Sequence, residues 1–300
     1  MKTYLLLPQM KIQDANAMSS IYTIGFPAMT AWLGAVHALE RKITGAPGLE
    51  HIRFTGTAVS CHSCDLQVYR GQGDYRNSII GTANPLRKKG ANFERPPFIE
   101  EARIHLSVSL LIEVKNHKGV DDEKLIKRLD GAVYGMKWAS GDLIRCGQLK
   151  LLRAEEGDEK DERAVLRTLM PGYVLIERRD LMERAMKNGE NGLDALLHLV
   201  SAHYSARRDE AGKVIGWNSW RKEPGWLVPI AVGFKGLAPL GHVKKQRDLK
   251  TPHRFAESVL TLGEFRLPIR FRCIDEILWH YTYQEKSALY LCENQKMEEN

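Results

Sequence analysis

Cysteine is scarce in this chain and odd in number: Cys61, Cys64, Cys146, Cys273 and Cys292 are the five among 300 residues. That excludes a disulfide framework and fits thiols kept reduced in the cytoplasm. No apolar run approaches the roughly 20 residues needed to span a bilayer, and the opening run ends at Pro8, too soon for a secretory core. A cytoplasmic protein with no membrane partner is expected. The chain also lacks a P-loop, a dinucleotide fingerprint, a G-x-S-x-G elbow and an H-E-x-x-H zinc motif.

Two weaker chemical patterns remain. Cys61 and Cys64 form a C-x-x-C step that can grip two corners of a tetrahedral zinc site, but no second pair completes it. Ordinary buried thiols are the simpler reading, and no metal or cofactor is expected. His37, His62, His105 and His253 can serve RNA cleavage as general acid or base. His37, however, falls inside a predicted amphipathic helix, and His105 lies out of phase with Ile104, Leu106 and Val108. No residue is assigned a catalytic role.

What is present is a folded composition, 43% hydrophobic and 27% charged, with a formal net charge of +7. The charge is unevenly spread. Glu155, Glu156, Asp158, Glu159, Asp161 and Glu162 face only Lys160, and Glu293, Glu298 and Glu299 make the tail acidic, so the remainder of the chain is more basic than the total implies. A body of that sign suits an anionic partner such as nucleic acid, with a solvated surface as the plain alternative.

Residues 4–12 predict a strand, displaced towards a sheet edge by Pro8. A polar loop over 13–23 follows, and Gly25-Phe26-Pro27 opens a helix over 28–42 whose Met29, Trp32, Leu33, Val36 and Leu39 share one face. Residues 51–69 read as one or two strands, 70–97 as a long loop or exposed hairpin, and 102–114 as an alternating strand. A helix over 121–134 and a strand over 143–152 complete the order strand, helix, strand, strand, helix, strand, which is ferredoxin-like. The fold class is therefore α+β: an RRM-like core over 1–153 with a thumb-like projection near 70–97, an acidic linker or loop at 154–163, and a second α+β part over 164–300. That part is expected to hold a strand at 173–176, helices at 180–187 and 192–204, a Gly-, Pro- and Trp-rich stretch at 212–241, the closing stretch 255–259, and a strand at 267–273.

Four segments are candidates for binding RNA. Arg76, Arg87, Lys88, Lys89 and Arg95 put cations on the projecting segment, where they can neutralise phosphates. Trp217, Trp220 and Trp226 lie beside Arg221 and Lys222, an interleaving suited to stacking on unpaired bases, although a small core or a protein interface uses the same residues. Lys244, Lys245, Arg247, Lys250, His253 and Arg254 follow in a polar connection. Gln13, Asn16, Ser19 and Ser20 supply amides and hydroxyls ahead of the first helix, for a ligand or for a helix cap.

The opening residues carry a resemblance. Leu5 through Pro8, Ile12-Gln13, Ala15-Asn16-Ala17, Ser19-Ser20, Gly25-Phe26-Pro27 and His37-Ala38-Leu39 resemble the crRNA 5′-handle-binding subunit family of the type I-F CRISPR surveillance complex, in the RAMP superfamily. Pro96-Pro97-Phe98 and the Trp-rich stretch resemble it as well. The resemblance implies an RRM-like fold and no catalysis. It implies that the chain holds the 5′ handle of the crRNA, pairs with the large subunit, and meets the nearest backbone subunit through a thumb for which 70–97 is the candidate. Target DNA is a further candidate partner. An RNA endonuclease of the same superfamily and a purely protein-binding adaptor are the competing readings.

Overall fold

The computed structural model describes residues 1–80, 86–94, 101–117, 119–246 and 248–294. The first half runs β1 (Lys2–Asn16), α1 (Met29–Thr44), β2 (Arg53–Leu66), β3 (Val68–Tyr69), β4 (Ser78–Ile79), β5 (Arg87–Lys89), β6 (Asn92–Glu94), β7 (Arg103–Lys115), α2 (Asp122–Tyr134), β8 (Lys137–Trp138), β9 (Gly141–Arg145) and β10 (Lys150–Ala154). The second runs α3 (Glu159–Arg167), β11 (Tyr173–Glu177), α4 (Arg179–Lys187), α5 (Gly192–Val200), β12 (Ala202–Arg208), β13 (Val214–Arg221), β14 (Trp226–Gly236), β15 (Ala256–Arg266), β16 (His280–Gln284) and β17 (Leu289–Glu293). Among the described residues this is a mixed α+β fold with five α-helices and one large antiparallel sheet, ordered β16-β17-β14-β15-β11-β2-β7-β1-β9-β8, with β10 also on β1.

Pro8 does not push β1 to an edge. The strand lies between β7 on one side and β10 and β9 on the other. Proline removes a ladder donor, and here it falls where no ladder bond is needed: past the last β10 pair at Leu6, before the first β9 pair at Lys11, and in the register shift between Leu7 and Met10 on the β7 side. Gln9 takes φ 47° at that bulge and its N–H donates to Ser109 Oγ at 2.9 Å. The extra residue resets the alternation, so Leu5 and Leu7 share a core with Met10 and Ile12, while Tyr4 and Leu6 face the opposite core.

Both faces of the sheet are covered. On one, α1 buries Met29, Trp32, Leu33, Val36, Leu39 and Ile43, and α2 buries Leu125, Leu129 and Val133. Each such large side chain contributes on the order of 1.5–3 kcal/mol. On the other face, Val165 and Leu166 of α3 pack with Leu169, Phe271, Ile274 and Ile277. The acidic run is the start of α3: Asp158 accepts from the N–H groups of Lys160 and Asp161, and acidic side chains in the first turn complement the helix dipole.

The sheet continues from one half of the chain into the other, because Tyr173 and Val174 of β11 pair with Cys61 and Ser60 of β2. It then curls until Trp279 reaches β2: Thr57 N–H donates to Trp279 O at 3.0 Å and Trp279 N–H returns to Thr57 O at 2.9 Å. Inside the curl, Trp279 Nε1 donates to Leu175 O at 2.7 Å.

Three further expectations are corrected. The helix expected over 192–204 stops at Val200, and Ala202–Arg208 is a strand. The strand expected over 267–273 is instead two short 3-10 turns, Pro268–Arg270 and Ile274–Ile277, because Pro268 cannot donate to a ladder and both Phe271 and Ile274 turn into one core. The loop expected over 13–23 begins later, since β1 continues to Asn16.

Candidate nucleic-acid interface

Gln13 pairs with Asp142 and Asn16 with Arg103, so these two amides sit on β1 rather than in a loop. Asn16 Oδ1 accepts from the Met18 N–H at 3.0 Å. Ser19 and Ser20 do lie in the loop, but their hydroxyls meet Thr23 Oγ1 at 2.9 and 2.8 Å, and Ser20 also accepts from the Tyr22 N–H. These groups brace a tight turn and hold Ile21 and Tyr22 outward at its tip, both largely exposed.

The projecting segment contains two small ribbons. β3 pairs with β4, and Arg76 lies in the exposed turn between them. β5 pairs with β6, which sets Arg87 opposite Glu94. Glu94 lies 2.8 Å from Arg87 and 3.0 Å from Lys89, so two of the three cations in this cluster already have an anion. Lys88 is exposed without an ion-pair partner among the described residues. Arg95 lies outside the described residues.

A third projection is the turn joining β14 to β15. Beyond the last ladder pair, Gly236 with Ala256, the two chains stay together through Leu237 N–H to Phe255 O and a Gly241–His253 bridge. Its tip is stiffened by Gln246: Oε1 accepts from the Val243 N–H at 2.8 Å, and Nε2 donates to the carbonyls of Asp248 and Thr251 at 2.5 and 2.9 Å. Asp248 is occupied by the Lys250 N–H and the Thr251 hydroxyl, which hold its carboxyl below the ordinary range, the hydroxyl most. Lys244, Lys245 and Lys250 have no ion-pair partner among the described residues. At the base, His253 stacks edge-on against Phe255, ring centroids 4.9 Å apart, and His253 Nδ1 and Arg254 Nε are buried without partners there. Lys244, Lys245, His253 and Arg254 thus share one hairpin; Arg247 lies outside the described residues.

The Trp-rich stretch is divided. Trp226 belongs to β14, where it packs on Phe265 and Tyr173 at 4.7 and 5.5 Å. Trp217, Trp220 and Arg221 lie on β13, which pairs with β12 as a separate ribbon. Sequence reasoning placed His203 and Tyr204 at the end of a helix and so missed β12. The available signal was the turn Asp209–Gly212, where Asp209 Oδ1 accepts from the Ala211 and Lys213 N–H groups and Gly212 takes φ 78°, a hairpin chemistry.

A broad groove of about 1790 Å³ elsewhere holds none of the candidate residues. Its cations are matched: Lys2 by Asp275, Arg153 by Asp122, and Arg178 by Asp180. It therefore presents little free charge to an anion.

The histidines proposed for cleavage are not gathered. His62 Nε2 lies 2.7 Å from Ser109 Oγ, and burial lowers its pKa, favouring the neutral ring. No hydrogen bond, ion pair or ring contact among the described residues joins it to His253. The C-x-x-C thiols differ from the expectation of buried cysteines: Cys61 is buried and Cys64 exposed. A hydrogen bond from Cys61 lowers the Cys64 thiol to about 7, and the same bond with burial raises Cys61.

Among the described residues, no helix is long and apolar enough to cross a membrane, and no group of three or more His, Cys, Asp or Glu is placed to hold a metal ion. Comparison with known proteins agrees with the resemblance carried by the opening residues. CRISPR-associated protein Csy2 of Pseudomonas aeruginosa (strain UCBPP-PA14) is 32% identical over 313 residues, covering 95% of this chain and 93% of that protein. Residues 5–292 match the family described as CRISPR-associated protein (Cas_Csy2), and the chain belongs to that family.

Proposed function

We propose that this chain is a non-catalytic subunit of a type I-F CRISPR surveillance complex that holds the 5′ handle of the crRNA together with the large subunit and caps the backbone filament. Membership of the Csy2 family supports a place in that assembly. On this reading the first 153 residues are an RRM-like core, which the strand order β2-β7-β1-β10 with α1 and α2 on one face supports. The projection near 70–97 is the thumb that meets the neighbouring backbone subunit.

The observation that carries the RNA reading is the β14–β15 hairpin tip. Lysines held by a braced loop, without an ion-pair partner among the described residues, gain more from a phosphate than lysines already paired to a carboxylate. Lys244, Lys245, His253 and Arg254 therefore lead the RNA contacts, with Lys88, Trp220 and Arg221 next. Arg87 contributes less, because Glu94 must be released first.

The test is to purify the complex assembled from the full chain, its partner subunits and a guide RNA, and to compare it with one built on a guide lacking the handle. Retention of this chain only with the intact handle is the expected result. An assembly that keeps the chain without the handle overturns the grip. Cleavage of repeat RNA by the chain alone favours the endonuclease instead.

A further inference from the structure

Among the described residues, the β12–β13 ribbon pairs with no other strand. Its register sets His203 opposite Trp220, Ser205 opposite Asn218, and Arg207 opposite Gly216. Directly opposed residues share a face and neighbours along a strand alternate, so one face carries His203, Ser205, Arg207, Asn218 and Trp220. The other carries Tyr204, Trp217 and Arg221.

The first face is ordered by its own contacts. The His203 and Trp220 rings stack with centroids 5.4 Å apart and planes 21° apart, yet Trp220 stays 53% exposed. Arg207 lays its guanidinium over Gly216, where a Cβ would come within 2.9 Å of Nη2, so the missing side chain is what lets the cation lie flat. The acids at the ribbon base are engaged: Glu190 pairs with Lys222 and His198, and Glu223 with Arg184. At the turn end, Asp209 accepts from the Ala211 and Lys213 N–H groups, and Arg207 has no ion-pair partner among the described residues. A supported indole, an amide and a free guanidinium follow one another along this face, with no aliphatic side chain among them. A protein interface centres on apolar packing, whereas an aromatic platform beside cations suits an unpaired base and its phosphate.

We propose that this face binds one unpaired base of a single-stranded RNA, stacked on Trp220, with its edge towards Asn218 and the adjoining phosphate on Arg207. The proposal rests on the reading that the chain binds RNA and adds a base site separate from the lysine tip. The experiment titrates the full chain with a fluorescent eight-nucleotide single-stranded RNA, and with its duplex as competitor. Trp220→Leu should weaken binding about tenfold, a typical effect of losing one stacked base. Trp220→Phe should stay within about threefold, and Trp217→Leu on the opposite face should change little. Trp220→Leu should leave the salt slope as it was, whereas Arg207→Gln should flatten it by about 0.7. Equal losses in Trp220→Leu and Trp217→Leu, no loss in Trp220→Leu, or Trp220→Phe binding as poorly as Trp220→Leu overturns the base site. So does a duplex that competes as well as the single strand. If Lys244→Ala weakens binding and Trp220→Leu does not, only the base site falls; a parent chain that binds no RNA removes the functional reading as well.

Discussion

Replacing Lys244 and Lys245 together by alanine tests the hairpin tip most directly. Gln246 bonds fix the loop around these lysines, and neither substitution removes a hydrogen bond that shapes it. Each phosphate released from a single strand changes the slope of log K against log salt by about 0.7, so the double variant should flatten it by about 1.4. Over a fourfold rise in salt, from about 50 to 200 mM, that is about sevenfold less loss of affinity than in the parent. Fluorescence anisotropy with labelled handle RNA at four salt concentrations reads it. Arg87→Ala with Lys89→Ala is the comparison, and because Glu94 already neutralises part of that pair its slope should change less. A parent-like slope for the tip variant, beside a flattened one for the Arg87 and Lys89 variant, refutes the reasoning that uncompensated charge selects the contact.

Three further outcomes follow from the packing and the thiols. Arg179 lies 2.9 Å from both Glu177 and Glu293, whose carboxylates are nearly buried, so Arg179→Met should cost about 3–5 kcal/mol in urea melts at pH 7. Burial raises the Glu177 pKa, and a carboxyl that holds its proton more tightly when folded regains stability as pH falls, so the deficit should shrink by pH 5; a deficit that grows on acidification contradicts this. Cys64 should react with iodoacetamide with a midpoint near its lowered pKa of about 7, and Cys61→Ala should move that midpoint up towards the ordinary thiol range of about 8.5. Asp158→Ala removes the cap of α3 and should lower stability by about 1 kcal/mol, read as a shifted urea midpoint with an unchanged slope.

Periodicity alone located the secondary structure that forms one apolar face. Met29, Trp32, Leu33, Val36 and Leu39 repeat at helical spacing, Ile104 through Ile112 alternate, and Asp121 caps α2 by accepting from the Glu123 N–H. These are local signals, and the opening motifs likewise carried the family resemblance. Tertiary structure decided the rest. Pro8 is tolerated in an interior strand because β1 changes partner there from β10 to β9, a fact set by residues more than 100 positions away. Equal runs of cations differ in value because Glu94 faces one and no described acid pairs with the lysines of the other, and β12 became visible only as the partner of β13. Sequence specifies which groups can bind an anion; the fold settles which of them are still free to do so, because charge is neutralised through space and not along the chain.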